Sequence, residues 1–515
     1  MAALFNDSKH FVDMTMLDDE ENILQNFETF MARTGRKPNK KQIEDFVNEN
    51  FEFADELDKW TPEDFNEEPA FLETIQDEEI RSFAKKIVAI WPTLGRKISS
   101  DTLQNIHRHS LFPLTKGFVV PGGRFRETYY WDTYWIIKGL LISDMKDTAR
   151  DMLDNFVTLI KQHGFIPNGA RVYYSQRSQP PLFAQMVMEY YAATGDVSWL
   201  RENIAYVEQE VNFFLQNRVI TIEVNGEEYQ VARYYPESLG PRPESYKEDF
   251  LTASKLTTEE AKQNLYTNLK AGAESGWDFS SRWFYDADGG TNANLSTIDT
   301  GRTIPVDLNA FLYQATGSVA LLYNALNNPG KMTEWLLKNM KFQSALQKVF
   351  FNEEDSIWYD YDTTLKQHRK EFYVSNLSPL WVKAQGINFN PDKLIQKLRD
   401  DGVLDFEGGT PSSLKRSGEQ WDLPNAWPPL QAIIVQALAN TGTEEGKEIA
   451  EQLAKQWVTA NMIGYERTGY MFEKYDAESL GNYGGGGEYE VQAGFGWSNG
   501  VALEFIRDYY SENDL

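Results

Sequence analysis

The stretch DTARDMLDNFVTLIKQHG at residues 147–164 carries a clear helical signal. Apolar side chains recur along it at the spacing of one helix face: Ala149, Met152, Leu153, Phe156, Leu159 and Ile160. Gly164 is a typical residue for ending such a helix, and the long loop FIPNGARVYYSQRSQPP at 165–181 follows it. This alternation of an amphipathic helix with a long aromatic loop decides the fold.

The alternation continues from about residue 100 to the end of the chain. Helices are predicted over 131–143, 147–163, 181–194, 197–217, 257–272, 305–327, 332–350, 391–400, 426–440, 444–462 and 497–512. Long loops are predicted at 111–130, 164–180, 235–250, 275–304, 405–430 and 463–496. Because six loops recur after about every second helix, we expect an all-α protein: a closed double ring of helices with its site at one end.

The remaining elements are minor. Residues 219–235 predict a small β-hairpin with Asn225-Gly226 as its turn. There is no βαβ alternation, which argues against Rossmann and TIM-barrel folds. We expect a helical collar at 1–95 and a catalytic domain at 96–515.

Composition excludes several classes of function. The 515 residues carry a net charge of −27, which disfavours nucleic acid and anionic membranes as partners. The sequence lacks a run of ~18 apolar residues and a recognisable signal peptide, so we expect a soluble protein, either cytoplasmic or secreted with its leader absent. With no cysteine, disulfides and Cys-ligated metals are excluded. Aromatic residues make up 14 %, which suits either a thick core or a sugar-binding site.

Candidate binding residues cluster in and beside the first three predicted loops, 111–130, 164–180 and 235–250. The stretch PGGRFRETYYWDTYW at 121–135 offers an arginine fork, aromatic faces and a carboxylate, and the loops at 165–181 and 234–249 repeat this chemistry. The candidates are Arg124, Phe125, Trp131, Asp132, Asn168, Arg177, Ser178, Gln179, Arg242, Pro243 and Glu244. A structured turn or a solvated charged loop is the alternative for each stretch.

Candidate catalytic carboxyl groups lie in the later loops. Asp278 stands between two aromatic residues. Desolvation by such neighbours would raise the pKa of its carboxyl group, which suits a general acid. The alternative is an N-cap or surface aspartate. Trp421 and Trp427 share a Pro-rich loop typical of a site rim, and Glu473 and Glu488 follow in the last loop. His107 and His109 lack a third metal ligand nearby, so we expect no metal and no cofactor. Carboxylates, arginines and aromatic rings on loops, without a cofactor, indicate glycoside hydrolysis, a reaction that needs two carboxyl groups.

Two motifs, PGGRFRETYYWDTY (121–134) and QWDLPNAWPP (420–429), resemble the signatures of the trehalase family of glycoside hydrolases. Supporting matches are IPNGARVYYSQRSQPP, GPRPESY, ESGWDFSSRW, EKYD and GGGGEYEVQAGFGWSNG, which cover residues ~110–505 in the family's order.

The resemblance implies an (α/α)6 toroid that hydrolyses α,α-trehalose to two glucose molecules with inversion. It implies Asp278 as general acid and Glu473 as general base. Its implied substrate contacts are Arg124, Trp131, Asp132, Asn168, Arg177, Ser178, Gln179, Arg242, Pro243, Glu244, Gly276 and Glu488. Two other functions stay open: an inverting toroid hydrolase that acts on α-glucan ends, and a non-catalytic sugar-binding protein on the same scaffold.

Overall fold

The computed structural model describes residues 4–487, 492 and 494–511. Its helices are α1 Lys9–Val12, α2 Glu20–Arg33, α3 Lys40–Asn50, α4 Glu78–Val88, α5 Trp91–Leu94, α6 Ser100–Gln104, α7 Asp132–Ile142, α8 Lys146–His163, α9 Phe183–Thr194, α10 Val197–Asn217, α11 Tyr246–Thr252, α12 Glu259–Glu274, α13 Val306–Ala325, α14 Pro329–Ala345, α15 Ser378–Trp381, α16 Pro391–Asp400, α17 Pro428–Ala439, α18 Glu444–Thr468 and α19 Gly496–Tyr510.

Six of these helices close a ring. Helix α7 packs against α9, α9 against α13, α13 against α15, α15 against α17 and α17 against α19, and α19 returns to α7. Helices α8, α10, α14 and α18 pack outside their ring neighbours, and α4 packs against α19. Together with α16, which follows α15 in the chain, they form the predicted (α/α)6 toroid.

The sequence distinguishes the two rings. Helices α7, α13, α17 and α19 are buried on nearly every side, because each is surrounded by other helices. Helix α8 instead buries one apolar stripe, as expected for an outer helix. The apolar face of residues 147–163 that predicted a helix is the face that α8 buries against the inner ring.

Each inner helix is preceded by a long connection, and these connections build one end of the toroid. The structure differs here from the predicted loops in two respects. The predicted loops 235–250 and 275–304 belong to a single connection, 218–305, which also contains α12. The connection that was not predicted runs over 346–377, where strands of two residues each leave too short a pattern to recognise.

The strands are short and antiparallel: β1 Thr15–Met16, β2 Phe51–Glu52, β3 Leu57–Lys59, β4 Gly95–Ile98, β5 Phe118–Val119, β6 Val219–Val224, β7 Glu227–Ala232, β8 Thr303–Ile304, β9 Phe351–Asn352, β10 Ile357–Trp358, β11 Tyr361–Asp362, β12 Gln367–His368, β13 Asn425–Ala426 and β14 Tyr475–Asp476. The predicted hairpin is confirmed as β6–β7, and Asn225 and Gly226 turn with φ of 53° and 81°. The domain boundary at residue 95 stays a prediction; β3 pairs with β4 beside it.

Across the described ranges, no helix has the length and apolar character needed to cross a membrane.

A buried arginine joins the loops above the ring. Arg282 is fully buried, and its guanidinium binds Asp307 at 2.7 and 3.0 Å and Asp360 at 2.7 and 2.9 Å. Asp307 lies in the first turn of α13 and Asp360 in the connection before α15. One side chain thus fixes the loop that contains Asp278 to two neighbouring parts of the toroid.

A buried glutamate gives the fold a pH dependence that can be measured. Glu210 of α10 is fully buried, and the hydroxyl of Tyr130 donates to it. Burial raises the pKa of Glu210 from 4.5 to about 8. The folded state therefore keeps a proton that the unfolded chain loses above pH 4.5, so stability falls between these two pH values.

We expect Glu210→Gln to remove this loss, because the amide has the same shape and no charge. The gain in the free energy of unfolding over the wild type should grow by about 1.4 kcal/mol per pH unit and level off near pH 8. Thermal melts from pH 4 to pH 9 measure it. Glu202→Gln, an exposed change on the same helix, is the control; an equal gain there would contradict the assignment to Glu210.

Candidate active site

The long connections line a cavity at the loop end of the toroid. Most of the predicted site residues line it: Arg124, Phe125, Trp131, Asp132, Asn168, Arg177, Gln179, Arg242, Glu244, Gly276, Asp278, Trp421, Trp427 and Glu473. Residues more than three hundred positions apart in sequence thus face the same space.

Three predicted residues need separate comment. Ser178 does not line the cavity: its hydroxyl donates to the carbonyl of Ile166 at 2.7 Å and its amide to Glu274 at 2.9 Å, so it holds the loop. Pro243 does not line it either, and begins the short turn that carries Glu244. Glu488 lies outside the residues that the structure describes.

The cavity wall also contains residues that the sequence analysis did not select: Tyr129, Tyr174, Ser245, Ala273, Phe495 and Trp497. Four of the six are aromatic, and all of them except Ala273 lie inside stretches already singled out for their motifs. Their position beside the selected residues of the same motifs was therefore the signal that could have identified them. Ala273 belongs to α12 and has no distinctive chemistry.

The loop that carries Asp278 leaves α12 through a sharp turn. Gly276 has φ of +78°, and a Cβ there would lie 2.6 Å from the ring of Trp131, so a glycine is required. The carbonyl of Asp278 accepts a hydrogen bond from the Gln420 side chain, and the amide of Trp421 donates to the carbonyl of Phe279 at 3.0 Å. The backbone around Asp278 is thus held by the loop before α17.

Glu473 lies on the loop after α18 and is 2 % exposed. Its carbonyl accepts from the indole of Trp497 at 2.9 Å, which fixes the backbone against α19. The neighbouring Lys474 ammonium donates to Oε1 of Gln420 at 2.9 Å. Strand β14 follows Lys474 directly. It pairs with β13, which lies in the same loop as Gln420. The Gln420 side chain therefore contacts the Asp278 backbone with its amide nitrogen and Lys474 with its oxygen.

Burial and charge set the protonation of this cavity. Burial raises the pKa of Asp132 well above its ordinary value, and the charges of Glu473 and Asp278 raise it further. Burial lowers the pKa of Lys474, although the same two carboxylates act against that shift. Three carboxyl groups thus line one cavity, and burial together with the charges of Glu473 and Asp278 favours the protonated form of Asp132.

Tryptophan side chains form one apolar wall of the site. The rings of Trp421 and Trp427 stack with centroids 3.9 Å apart, and Trp277 lies 5.4 Å from Trp421. Trp421 and Trp427 were expected at the rim, but both are no more than 2 % exposed and lie deep in the wall. The stacked rings give this side of the cavity an apolar lining.

The arginines are oriented by carboxylates. Arg177 donates to Glu244 at 2.6 Å and to Asn168 at 3.2 Å, and Arg242 donates to Asp249 at 2.7 Å. Burial alone would raise the pKa of Glu244, but Arg177 and Arg242 outweigh it and lower that pKa. Because each guanidinium group is already held by a carboxylate, its N–H groups have fixed directions in which to donate to a polar ligand.

The comparisons with known proteins decide the family. A family model described as trehalase matches residues 3–510. The chain belongs to the trehalase family. It is 47 % identical over 514 residues to a trehalase of Tenebrio molitor, covering 99 % of this chain and 93 % of that protein. It is 43 % identical over 511 residues to a trehalase of Homo sapiens, covering 99 % of this chain and 87 % of that protein.

A solved structure supports the fold. The neutral trehalase of Saccharomyces cerevisiae superposes with a TM-score of 0.60 at 23 % identity, over 77 % of this chain and 74 % of that one. At this identity the likeness extends to the toroid and not to individual side chains.

We expect Gln420→Leu to lower kcat about tenfold or more, because both loops lose the amide that fixes them and a misplacement of 1 Å can cost ~100-fold. Steady-state kinetics with trehalose measure the effect. Gln431→Leu is the matched control, since this buried glutamine binds Thr410 at 2.7 and 2.9 Å and does not line the cavity. Equal losses of kcat in both variants would show a general packing defect.

Proposed function

We propose that this protein hydrolyses α,α-trehalose to two glucose molecules with inversion at the attacked carbon. The observation that carries the proposal is that Asp278 and Glu473 line one cavity, in a chain that belongs to the trehalase family. The names of its relatives supply the substrate, and the cavity supplies residues of the right chemistry. The polar and aromatic side chains of the lining suit a sugar.

In the proposed reaction Asp278, protonated, donates to the glycosidic oxygen as the bond to the anomeric carbon breaks. Glu473, ionised, removes a proton from a water that attacks that carbon from the opposite face. The proton lost by Asp278 is balanced by the one gained at Glu473. Positive charge develops on the sugar ring and is stabilised by the carboxylates of the cavity.

The charges of the cavity do not by themselves separate acid from base. The Lys474 ammonium attracts both Glu473 and Asp278, so the assignment of Glu473 as base rests on the family motif. Asp278 is half-buried and Glu473 is 2 % exposed, so burial does not select between them. We assign the acid to Asp278 on the family motif.

The remaining polar residues bind hydroxyl groups in this proposal. Asp132 lines the cavity, and its carboxyl oxygens can accept hydrogen bonds from sugar hydroxyls. The paired guanidinium groups of Arg177 and Arg242 supply fixed donors. Arg124, Asn168, Gln179 and Glu244 complete the polar lining, and Glu488 stays assigned by its motif alone.

We expect Asp278→Asn and Glu473→Gln each to lower kcat by about 100-fold or more, since each removes a proton-transfer step. Azide should restore turnover in Glu473→Gln, because it replaces the attacking water and needs no base. Asp288→Asn, an exposed change close to Asp278 in sequence, is the control and should keep full activity. Near-normal kcat in Asp278→Asn would remove it from the role of acid.

Stereochemistry gives a test that is independent of any variant. Inversion of α,α-trehalose produces one β-glucose and one α-glucose, so proton NMR in the first minutes should show equal amounts of both. Retention would give α-glucose alone. Maltose, offered under the same conditions, should be cleaved far more slowly; comparable cleavage would favour a hydrolase that acts on α-glucan ends.

A further inference from the structure

Residues 7–13, called here the N-terminal strap, lie against the cavity and not merely against the outside of the toroid. The carboxylate of Asp7 accepts from Nε of Arg124 at 2.8 Å and from Nη2 at 2.7 Å. Arg124 belongs to the cavity wall. The collar region, in which the sequence analysis placed no functional residue, thus reaches a side chain of the site.

The strap has a second anchor on α11. The hydroxyl of Ser8 donates to Glu248 at 2.8 Å, and the amide of Lys247 donates to that hydroxyl at 3.3 Å. Helix α1 also packs on the turn Pro243–Ser245, which carries Glu244 and Ser245 of the wall. The strap therefore connects the Arg124 loop to the loop of α11.

A buried ion pair fixes the strap in place. Lys9 is 2 % exposed, and its ammonium lies 2.6 Å from Asp13 and 2.8 Å from Glu127. Glu127 also accepts from the hydroxyl of Tyr129 at 2.5 Å, and Tyr129 lines the cavity. A buried ammonium is tolerated when it is paired, and its partners determine where residues 7–13 can lie.

We propose that Asp7 is a positioning residue that orients Arg124 for sugar binding. This inference rests on the proposed function, because it assigns Arg124 to substrate. An arginine side chain has many rotamers, and a bidentate carboxylate selects the one that presents the guanidinium to the cavity. Without that carboxylate the ligand would have to order Arg124 at the moment of binding.

Asp7→Asn tests the proposal, because an asparagine has one acceptor oxygen and no charge. We expect the KM for trehalose to rise about tenfold while kcat changes less than about threefold, the pattern for a lost binding contact. Asp7→Glu should recover part of the loss. An unchanged KM in Asp7→Asn would overturn the proposal.

The chain offers a matched control in Asp19. Oδ1 of this aspartate accepts from both Nε and Nη2 of Arg108, at 3.0 and 2.9 Å, so it too pairs with an arginine, and neither residue lines the cavity. Asp19→Asn should leave KM and kcat unchanged. An equal rise of KM in Asp19→Asn would show that any lost ion pair near the N-terminal region has this effect, which would overturn the specific role of Asp7.

A double-mutant cycle separates positioning from packing. If Asp7 acts through Arg124, Asp7→Asn should change KM less than about twofold in an Arg124→Gln background, because the group that it orients is gone. Additive effects would contradict the proposal. Calorimetric titration of trehalose into Asp278→Asn, with and without Asp7→Asn, gives the affinity without turnover. If the wild type binds trehalose and does not cleave it, the proposed function fails while the titration still tests the strap.

Discussion

The site depends on one buried guanidinium. Arg282 pairs with Asp307 and Asp360 with no exposure to solvent, and a buried charge pair of this kind costs ~3–5 kcal/mol to break because the partner is left unpaired. Arg282 lies four residues after Asp278 in the chain. The position of the proposed acid is therefore coupled to the first turn of α13 and to the connection before α15, and the toroid sets where that loop can lie.

A second set of contacts holds the loops that carry Asp278 and Glu473. Gln420 contacts the Asp278 backbone and Lys474, and β13–β14 joins the loops that carry Gln420 and Glu473. The two proposed catalytic carboxyl groups thus occupy loops that are cross-linked away from the reacting atoms. Rigid support of this kind keeps functional groups within the small tolerance that proton transfer requires, and the water-poor tryptophan wall strengthens every charge interaction inside.

Much of this could be predicted from sequence, for identifiable reasons. The apolar stripe at 147–163 and the recurring loops predicted the double ring, because periodicity is a local property. Motif resemblance selected Asp278 and Glu473, which share the cavity, although their roles remain proposals. The partner Asp360 could not be found, since it lies 78 residues from Arg282 and no local pattern marks it. The contact between Asp7 and Arg124 spans 117 residues and was missed for the same reason.

The closure of α19 onto α7 has a consequence for how the protein is made. The first inner helix leaves the ribosome long before its ring neighbour at 496–510 has been synthesised, so its apolar flank must stay exposed or be shielded meanwhile. The last connection, which carries Glu473, precedes that final helix. A nascent chain therefore acquires its complete cavity only after α19 has been synthesised, and a chain that stops before residue 473 lacks the proposed base.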